Sequence, residues 1–176
     1  MSRLHVTTKA HQWMNQIENP ESIVVDATAG NGNDTLFLSK LAKEVFAFDI
    51  QNEAIEKTRE RCASQTNVRI ICDSHERIFE HVKNFDVLVF NLGYLPNSDS
   101  TLCTQTSTTL NALKLNLPFL NKKGYLLITY YRKHPGGNEE YEQISSFLEN
   151  DPQLGLLETY TYEEDLAPVF QIFQKC

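Results

Sequence analysis

The chain has 176 residues, of which 41% are hydrophobic and 22% charged, and this composition excludes a chain that is disordered throughout. Its apolar runs are only a few residues long, so no membrane span is predicted, since a span needs about 20 residues. The length fits one domain over residues 1–176, and the formal net charge of −7, taken as an average, argues against a nucleic-acid partner.

Short apolar runs alternate with helical patterns along most of the chain. Five runs predict buried strands, at residues 22–26, 44–49, 67–72, 85–91 and 124–131. The segments between them predict helices, at residues 34–41, at 52–63 with Asn52 as the cap, at 74–82, and at 104–120 with a disturbance near Pro118. Apolar strands separated by helices predict βαβ units and a parallel sheet with helices on both faces.

The last third of the chain follows a different pattern. A helix is predicted at residues 138–149, followed by strands at 154–162 and 168–174. The turn between these two strands is too short for a parallel crossover, so they should form an antiparallel hairpin. The predicted fold is therefore an α/β, Rossmann-like, seven-stranded and mostly parallel sheet. The apolar segment Val169–Phe173 is either an inner strand or a subunit contact.

The strongest local motif follows the first predicted strand and reads DATAGNGNDT, from Asp26 to Thr35. Glycines at Gly30 and Gly32 let the backbone of the turn approach a ligand closely. The dinucleotide-binding fingerprint requires a third glycine three residues later, where this chain has Thr35. The motif therefore favours a nucleoside without a pyrophosphate, although a purely structural tight turn would use the same glycines.

Further polar residues follow the next two predicted strands. Asp49 ends the second strand, 17 residues after Gly32, where an acid in a βαβ unit accepts hydrogen bonds from ribose hydroxyls. Asp73, Ser74 and His75 end the third strand, where Asp73 or Ser74 could hold an adenine amino group. The acids and Ser74 could instead be helix caps, and His75 could be a surface residue.

The fourth predicted strand ends at Asn91, and the sequence continues as NLGYLP to Pro96. The Asn91 side chain can accept a hydrogen bond from an amine and so orient its lone pair. An aromatic residue such as Tyr94 can stack on a base. Gly93 and Pro96 are equally compatible with an ordinary β-turn.

The segment that ends the fifth strand combines aromatic and basic residues, namely Tyr130, Tyr131, Arg132, Lys133 and His134. Such side chains at the same edge of the sheet are typical of a surface that stacks bases and contacts phosphates. An ordinary solvated loop would also contain such residues.

The four cysteines, Cys62, Cys72, Cys103 and Cys176, have neither CxxC spacing nor a metal-ligand cluster. No metal site is therefore predicted. The N-terminus lacks the apolar stretch of a secretory signal, and together these features predict a cytoplasmic protein with free thiols. Cys72 lies in an apolar run and is expected in the core.

The combination of DATAGNGNDT, FDIQ, DSHE, NLGYLP and HPGG resembles a small bacterial family of class I S-adenosylmethionine-dependent methyltransferases labelled as rRNA methylases. The resemblance covers nearly the whole chain and implies S-adenosylmethionine as the cofactor. In Gram-positive bacteria the family is similar to the enzyme that methylates the amine of 5-aminomethyl-2-thiouridine at the wobble position of tRNA. The implied partner is the anticodon stem-loop of tRNA, and the implied assembly is a homodimer.

Matching positions carry the implied cofactor roles. The methionine end of the cofactor is implied to contact Asp26, Asn31, Gly32 and Asn33. The ribose is implied to contact Asp49 and Gln51, and the adenine Asp73, Ser74 and His75.

On the substrate side, Asn91 and Tyr94 are implied to face the amine and the uracil, and Tyr131, Arg132 and Lys133 are expected to contact tRNA. Two departures lie on this side. Leu92-Gly93 stands where amino-methyltransferases have a proline pair, and residues 97–100 replace a Gly-rich stretch of the family.

Methyl transfer from a sulfonium is an in-line displacement, so the protein supplies mainly proximity and alignment. An aminomethyl group must lose a proton before it attacks, and His134, Asp73 or solvent could accept that proton. The residues alone leave other functions open: methylation of rRNA or another RNA base, methylation of a small molecule or protein, and a non-catalytic nucleotide-binding module.

The net charge conceals an uneven distribution. Residues 138–165 contain nine acids and no Lys or Arg, whereas the remaining 148 residues carry a net charge of +2. The acidic average is therefore no argument against an RNA partner. It does predict few phosphate contacts and a shallow salt dependence of RNA binding.

Overall fold

A computed structural model describes residues 5–93 and 106–176. The helices are α1 Val6–Gln16, α2 Asn33–Leu38, α3 Asn52–Arg61, α4 Ile78–His81, α5 Thr106–Asn116 and α6 Gly137–Glu149, with 3₁₀ turns at His75–Arg77 and Leu117–Phe119. The strands are β1 Asn19–Asp26, β2 Ala42–Asp49, β3 Val68–Cys72, β4 Phe85–Leu92, β5 Leu120–Tyr130, β6 Leu154–Thr161 and β7 Val169–Lys175. Within those two ranges, none of the helices has the length and apolar character needed to cross a bilayer.

All seven strands join one sheet in the order β3-β2-β1-β4-β5-β7-β6. The first five strands run parallel to one another, whereas β7 is antiparallel to both β5 and β6. The predicted mostly parallel sheet with an antiparallel C-terminal hairpin is confirmed. Because β7 lies between two strands, the burial of Val169–Phe173 is explained within this chain.

Helices cover both faces of the sheet, as predicted. On one face, Val6 and Met14 of α1 pack with Leu38 of α2 against the apolar side chains of β1, β2 and β4. On the other face, α4, α5 and α6 pack around Phe85 and Phe90 of β4. The central strands are therefore buried on both sides, which explains their continuous apolar sequence.

Helix α1 is absent from the sequence-based prediction. Its buried positions, Val6, Ala10 and Met14, recur only every fourth residue between polar ones, and this narrow stripe gives a weak periodic signal. Contacts with the C-terminal hairpin fix the helix: Trp13 donates from Nε1 to Glu158 of β6 at 2.6 Å, and Lys9 pairs with the same carboxylate at 2.7 Å.

Two strands begin earlier than predicted, β1 at Asn19 and β5 at Leu120, and three further details differ from the predicted elements. Cys72 is exposed, not in the core, because β3 is an edge strand with β2 on one side only. Gln51, not Asn52, occupies the cap position of α3. Helix α5 ends before Pro118, which lies in a 3₁₀ turn, because proline cannot donate the backbone hydrogen bond that a continuing helix needs.

A buried asparagine at the end of α5 fixes the segment after β3. The Asn116 side chain is fully buried. Its Oδ1 accepts from the backbone N–H of Phe79 at 2.8 Å, and its Nδ2 donates to the carbonyls of His75 and Ala112 at 2.9 and 2.7 Å. One side chain thus holds the His75 segment against α5.

We expect Asn116→Ala to lower the free energy of unfolding by about 2–4 kcal/mol, because it opens a cavity and leaves the part-buried N–H of Phe79 and carbonyl of His75 without their partner. Denaturant unfolding measures this loss. Asn111→Ala is the matched control on the same helix, where an exposed side chain makes one bond to Glu76. Equal losses in the two variants would contradict this role of Asn116.

Candidate functional site

The sheet order reverses between β1 and β4, which lie side by side. The helix after β1 packs on one face of the sheet, and α5, the helix that follows β4, packs on the other. Such a reversal opens a crevice at the carboxyl ends of the strands, where open α/β sheets bind ligands. Asp26, Asp49 and Asn91 all lie at this edge.

Asp26 is the most deeply buried charged group at this edge. Its Oδ2 accepts from the Thr35 hydroxyl at 2.6 Å, and its Oδ1 accepts from the backbone N–H of Thr28 at 3.2 Å. Burial, followed by the nearby charge of Asp34, raises the pKa of Asp26 from 3.8 to about 7. A cation bound nearby would favour the ionised form of this carboxyl group.

The glycines in the turn after β1 are required by local packing as well as by the expected binding role. Gly32 has a φ of +75°, and a Cβ built there would lie 2.9 Å from the Cα of Thr58 in α3. The Thr58 hydroxyl donates to the carbonyl of Gly30 at 3.2 Å, and Arg61 donates to the carbonyl of Asn31 at 2.6 Å. The turn is thus packed tightly against α3, so the structural explanation for Gly32 holds whether or not a ligand approaches.

Asp49 joins the end of β2 to the glycine turn. Its Oδ2 accepts from the backbone N–H of Gly30 at 3.0 Å, and its Oδ1 accepts from that of Gln51 at 2.9 Å. Each carboxylate oxygen has two lone pairs, so Asp49 keeps acceptor capacity for a further donor. Asn33, the first residue of α2, is exposed.

The three residues after β3 have distinct surroundings. Ser74 caps the following 3₁₀ turn by accepting from the backbone N–H of Glu76 at 3.2 Å. Asp73 contacts His81 at 2.9 Å, and this bond is the main reason that its pKa lies below the usual value. A carboxylate with a lowered pKa is a poor proton acceptor, which argues against Asp73 as a base.

His75 is not a surface residue. Burial lowers the pKa of its imidazole, and the ring lies edge-on to Phe90 with centroids 5.6 Å apart. Its Nε2 is buried without a hydrogen-bond partner among the described residues. A neutral imidazole with an unused nitrogen is therefore available close to the carboxyl ends of β3 and β4.

Asn91 is held at both its backbone and its side chain. Its backbone N–H donates to the Thr28 hydroxyl at 2.7 Å, and its Nδ2 donates to Oδ2 of Asp34. The other oxygen of Asp34 contacts His11 of α1 at 2.6 Å. Asp34, Thr28 and His11 were not among the predicted site residues; Thr28 and Asp34 lie within the motif itself, whereas no local pattern marks His11.

The loop after β5 contributes less open surface than its sequence suggests. Tyr130 is fully buried, and its hydroxyl donates to Gln171 at 3.1 Å, so the expectation that Tyr130 stacks on a base is wrong. Burial raises the pKa of Tyr131, whose hydroxyl bonds Thr7 of α1. Its ring packs on Gly93, where an added Cβ would lie 3.3 Å from the ring.

The basic residues of this loop differ in their availability. Arg132 donates to the carbonyl of Ala167 at 2.8 Å and lies over the Tyr141 ring, so it stabilises the fold. Lys133 is exposed and lies 3.6 Å from Glu164. The Nδ1 of His134 lies 3.1 Å from the carbonyl of Pro135. Their roles toward tRNA and the reacting amine stay predictions, as does that of Tyr94, which lies outside the described residues.

Comparison with known proteins finds relatives that match most or all of this chain. Residues 45–173 match the family described as "Putative rRNA methylase". A crystal structure from Clostridium thermocellum with the same description superimposes with a TM-score of 0.91 at 28% identity, over 100% of both chains. A methyltransferase from Streptococcus mutans, solved in complex with S-adenosylhomocysteine, superimposes with a TM-score of 0.89 at 34% identity, over 99% of this chain and 100% of that one.

One relative has a named tRNA activity. The chloroplastic tRNA (mnm(5)s(2)U34)-methyltransferase of Arabidopsis thaliana is 34% identical over 162 residues, which are 82% of this chain. The chain spans 59% of the length of that relative.

The sheet, the crevice and these relatives define a class I S-adenosylmethionine-dependent methyltransferase. The chain belongs to the rRNA methylase family.

The residues at the crevice fit this cofactor. Besides His75 Nε2, the Oδ1 of Asn31 is buried and has no partner among residues 5–93 and 106–176. Buried polar atoms are normally paired, so two such atoms in the segments that follow β1 and β3 indicate a polar ligand. Donors from a nucleoside can bond Asp49 and His75, and a donor from an amino-acid group can bond Asn31.

The raised pKa of Asp26 predicts a pH-dependent cost to stability. The folded state holds a proton that the unfolded chain loses above pH 3.8, so stability should fall as the pH rises from about 4 to about 7 and then level off. Relative to Asp26→Asn, which cannot ionise, wild type should lose about 1.4 kcal/mol per pH unit in that window. Denaturant unfolding of both proteins at several pH values measures this difference, and parallel curves for the two would show that Asp26 does not carry the proton.

Proposed function

We propose that this chain methylates the exocyclic amine of 5-aminomethyl-2-thiouridine at the wobble position of tRNA, giving 5-methylaminomethyl-2-thiouridine. The observation that carries the proposal is the 34% identity to a tRNA (mnm(5)s(2)U34)-methyltransferase over 82% of this chain. The cofactor supplies an electrophilic methyl group on its sulfonium. The anticodon stem-loop is the proposed partner.

The geometry around Asn91 supports an amine as the nucleophile. Because Asn91 donates from Nδ2 to Asp34, its Oδ1 is left as an acceptor at the carboxyl end of β4. An acceptor at this position can bond one N–H of a neutral amine and so direct its lone pair. Asp26, Asp34 and Asp49 at the same edge also favour a substrate that arrives with a positive charge.

The distribution of charge is compatible with a tRNA partner. The acidic residues 138–165 lie in α6, which packs on one face of the sheet, and in β6 and the turn that follows, at the sheet edge opposite β3. Glu158 among them is engaged with Lys9 and Trp13 of α1. β5 and β7 separate β6 from the crevice between β1 and β4. The turn after β6 comes close to the loop after β5, where Glu164 lies 3.6 Å from Lys133, so the phosphate contacts near this loop should be few.

Deleting the gene should abolish the wobble methyl group and leave 5-aminomethyl-2-thiouridine to accumulate, since nothing else in the proposal consumes it. Nucleoside mass spectrometry of total tRNA and of rRNA from wild type and deletion strain measures both. Complementation with wild type should restore the methyl group, and complementation with Asn91→Ala should restore much less. An unchanged wobble nucleoside with a methyl group missing from rRNA would replace the proposal with an rRNA activity.

The uneven surface charge predicts that tRNA binding depends only weakly on salt. The slope of log K against log salt should correspond to fewer than about eight neutralised phosphates. Fluorescence anisotropy with a labelled anticodon stem-loop at several salt concentrations measures the slope. A steeper slope would mean a larger basic contact surface than this charge distribution provides.

A further inference from the structure

Asp34 connects three separate elements beside the crevice. From the start of α2, its Oδ1 contacts the Nε2 of His11 on α1 at 2.6 Å, and its Oδ2 accepts from Asn91 at the end of β4. The side chains of His11 and Asp34 are only 26% and 14% exposed. This chain of contacts therefore runs from α1 through the carboxylate to the predicted substrate-facing amide.

The chemistry of a carboxylate decides how the Asn91 amide is turned. A carboxylate oxygen accepts hydrogen bonds and does not donate, so Asn91 must present its NH₂ group to Asp34 and keep its Oδ1 for another partner. Replacing the carboxylate by an amide removes this preference, because an amide can pair with Asn91 in either orientation. Asp34 thus fixes which atom of Asn91 is free to accept.

His11 holds Asp34 in place from the opposite side. Its imidazole is stacked on Phe37, with ring centroids 4.0 Å apart and planes at 7°, so the ring has little freedom to turn. Thr7, one helical turn earlier on α1, bonds the Tyr131 hydroxyl. Helix α1 therefore contacts the polar groups that follow both β1 and β5, and His11 is its contact with the carboxylate.

We propose that Asp34 and His11 are positioning residues that fix the orientation of the Asn91 amide for methyl transfer. The inference rests on the proposed function, in which Asn91 meets the substrate amine. Both oxygens of Asp34 are already engaged, one by His11 and one by Asn91. The role assigned to Asp34 is to connect these two side chains and orient Asn91, and not to accept a proton.

The test compares Asp34→Asn, His11→Ala and His11→Gln with wild type, and Glu53→Gln serves as the control. Glu53 is also an acid in the first turn of a helix, and it is exposed and paired with Lys57. We expect Asp34→Asn and His11→Ala to lower kcat on tRNA from the deletion strain by about 10- to 100-fold. The affinity for S-adenosylmethionine, measured by calorimetry, should fall by less than kcat does, since Asp34 also affects the ionisation of Asp26. The melting temperature should change little.

Two readouts separate positioning from other roles. His11→Gln, which keeps an N–H donor near the position of Nε2, should recover most of the kcat lost in His11→Ala. The kcat of Asp34→Asn should fall by the same factor at every pH from about 6.5 to 9, because a lost general base would instead change the shape of the profile. Equal kcat for Asp34→Asn and wild type, or a loss explained by a fall in melting temperature, would overturn the inference.

A measurement without substrate tests the positioning role separately from the proposed function. In ¹⁵N NMR spectra, the side-chain amide of Asn91 should give one ordered, slowly exchanging pair of signals in wild type and in Glu53→Gln, and should lose that protection in Asp34→Asn. Such a result with no methylation of the wobble amine by wild type would reject the proposed function and keep the positioning role. An Asn91 amide that is equally ordered in Asp34→Asn would reject the positioning role itself.

Discussion

The buried carboxyl group of Asp26 is the constraint on which the crevice depends. It lies at the end of a central strand, completely enclosed, and its only hydrogen bonds among the described residues come from Thr28 and Thr35. Its neighbour Asp34 raises the cost of ionising it. Burial of a carboxyl group beside a second one disfavours two negative charges, so the free protein holds a site that a cationic ligand would stabilise.

The surrounding structure organises this group of acids. Asp49 fixes the glycine turn from β2, and α3 packs against the same turn through Thr58. Helix α1 closes the other side, where His11 bonds Asp34, and is itself fastened to β6 by Trp13 and Lys9. Glu158 of the C-terminal hairpin, one of the nine acids of residues 138–165, thus also holds the helix that completes the site.

Much of the fold could be predicted from the sequence. The central strands are apolar throughout because they are buried on both faces, and the helices between them show a helical spacing of apolar residues. The hairpin followed from the short turn before β7. Helix α1 could not be predicted, since its buried stripe is one residue wide. Cys72 was predicted in the core and is exposed, because an edge strand can be as apolar as an inner one. In the site, Asp26, Asp49 and Asn91 could be predicted because they end strands. His11 could not, because only tertiary packing brings it to Asp34. Tyr130 is buried, although the sequence alone suggested that it lies on the surface.

Proton release on cofactor binding tests the role of Asp26 most directly. Calorimetry of S-adenosylmethionine binding at pH 7, repeated in buffers with different ionisation enthalpies, reports the number of protons exchanged. Because the pKa of Asp26 in the free protein is about 7, a bound cation should release a substantial fraction of a proton from wild type and not from Asp26→Asn. Identical proton exchange for the two proteins would contradict the claim that Asp26 is partly protonated in the free protein and loses its proton when a positively charged ligand binds.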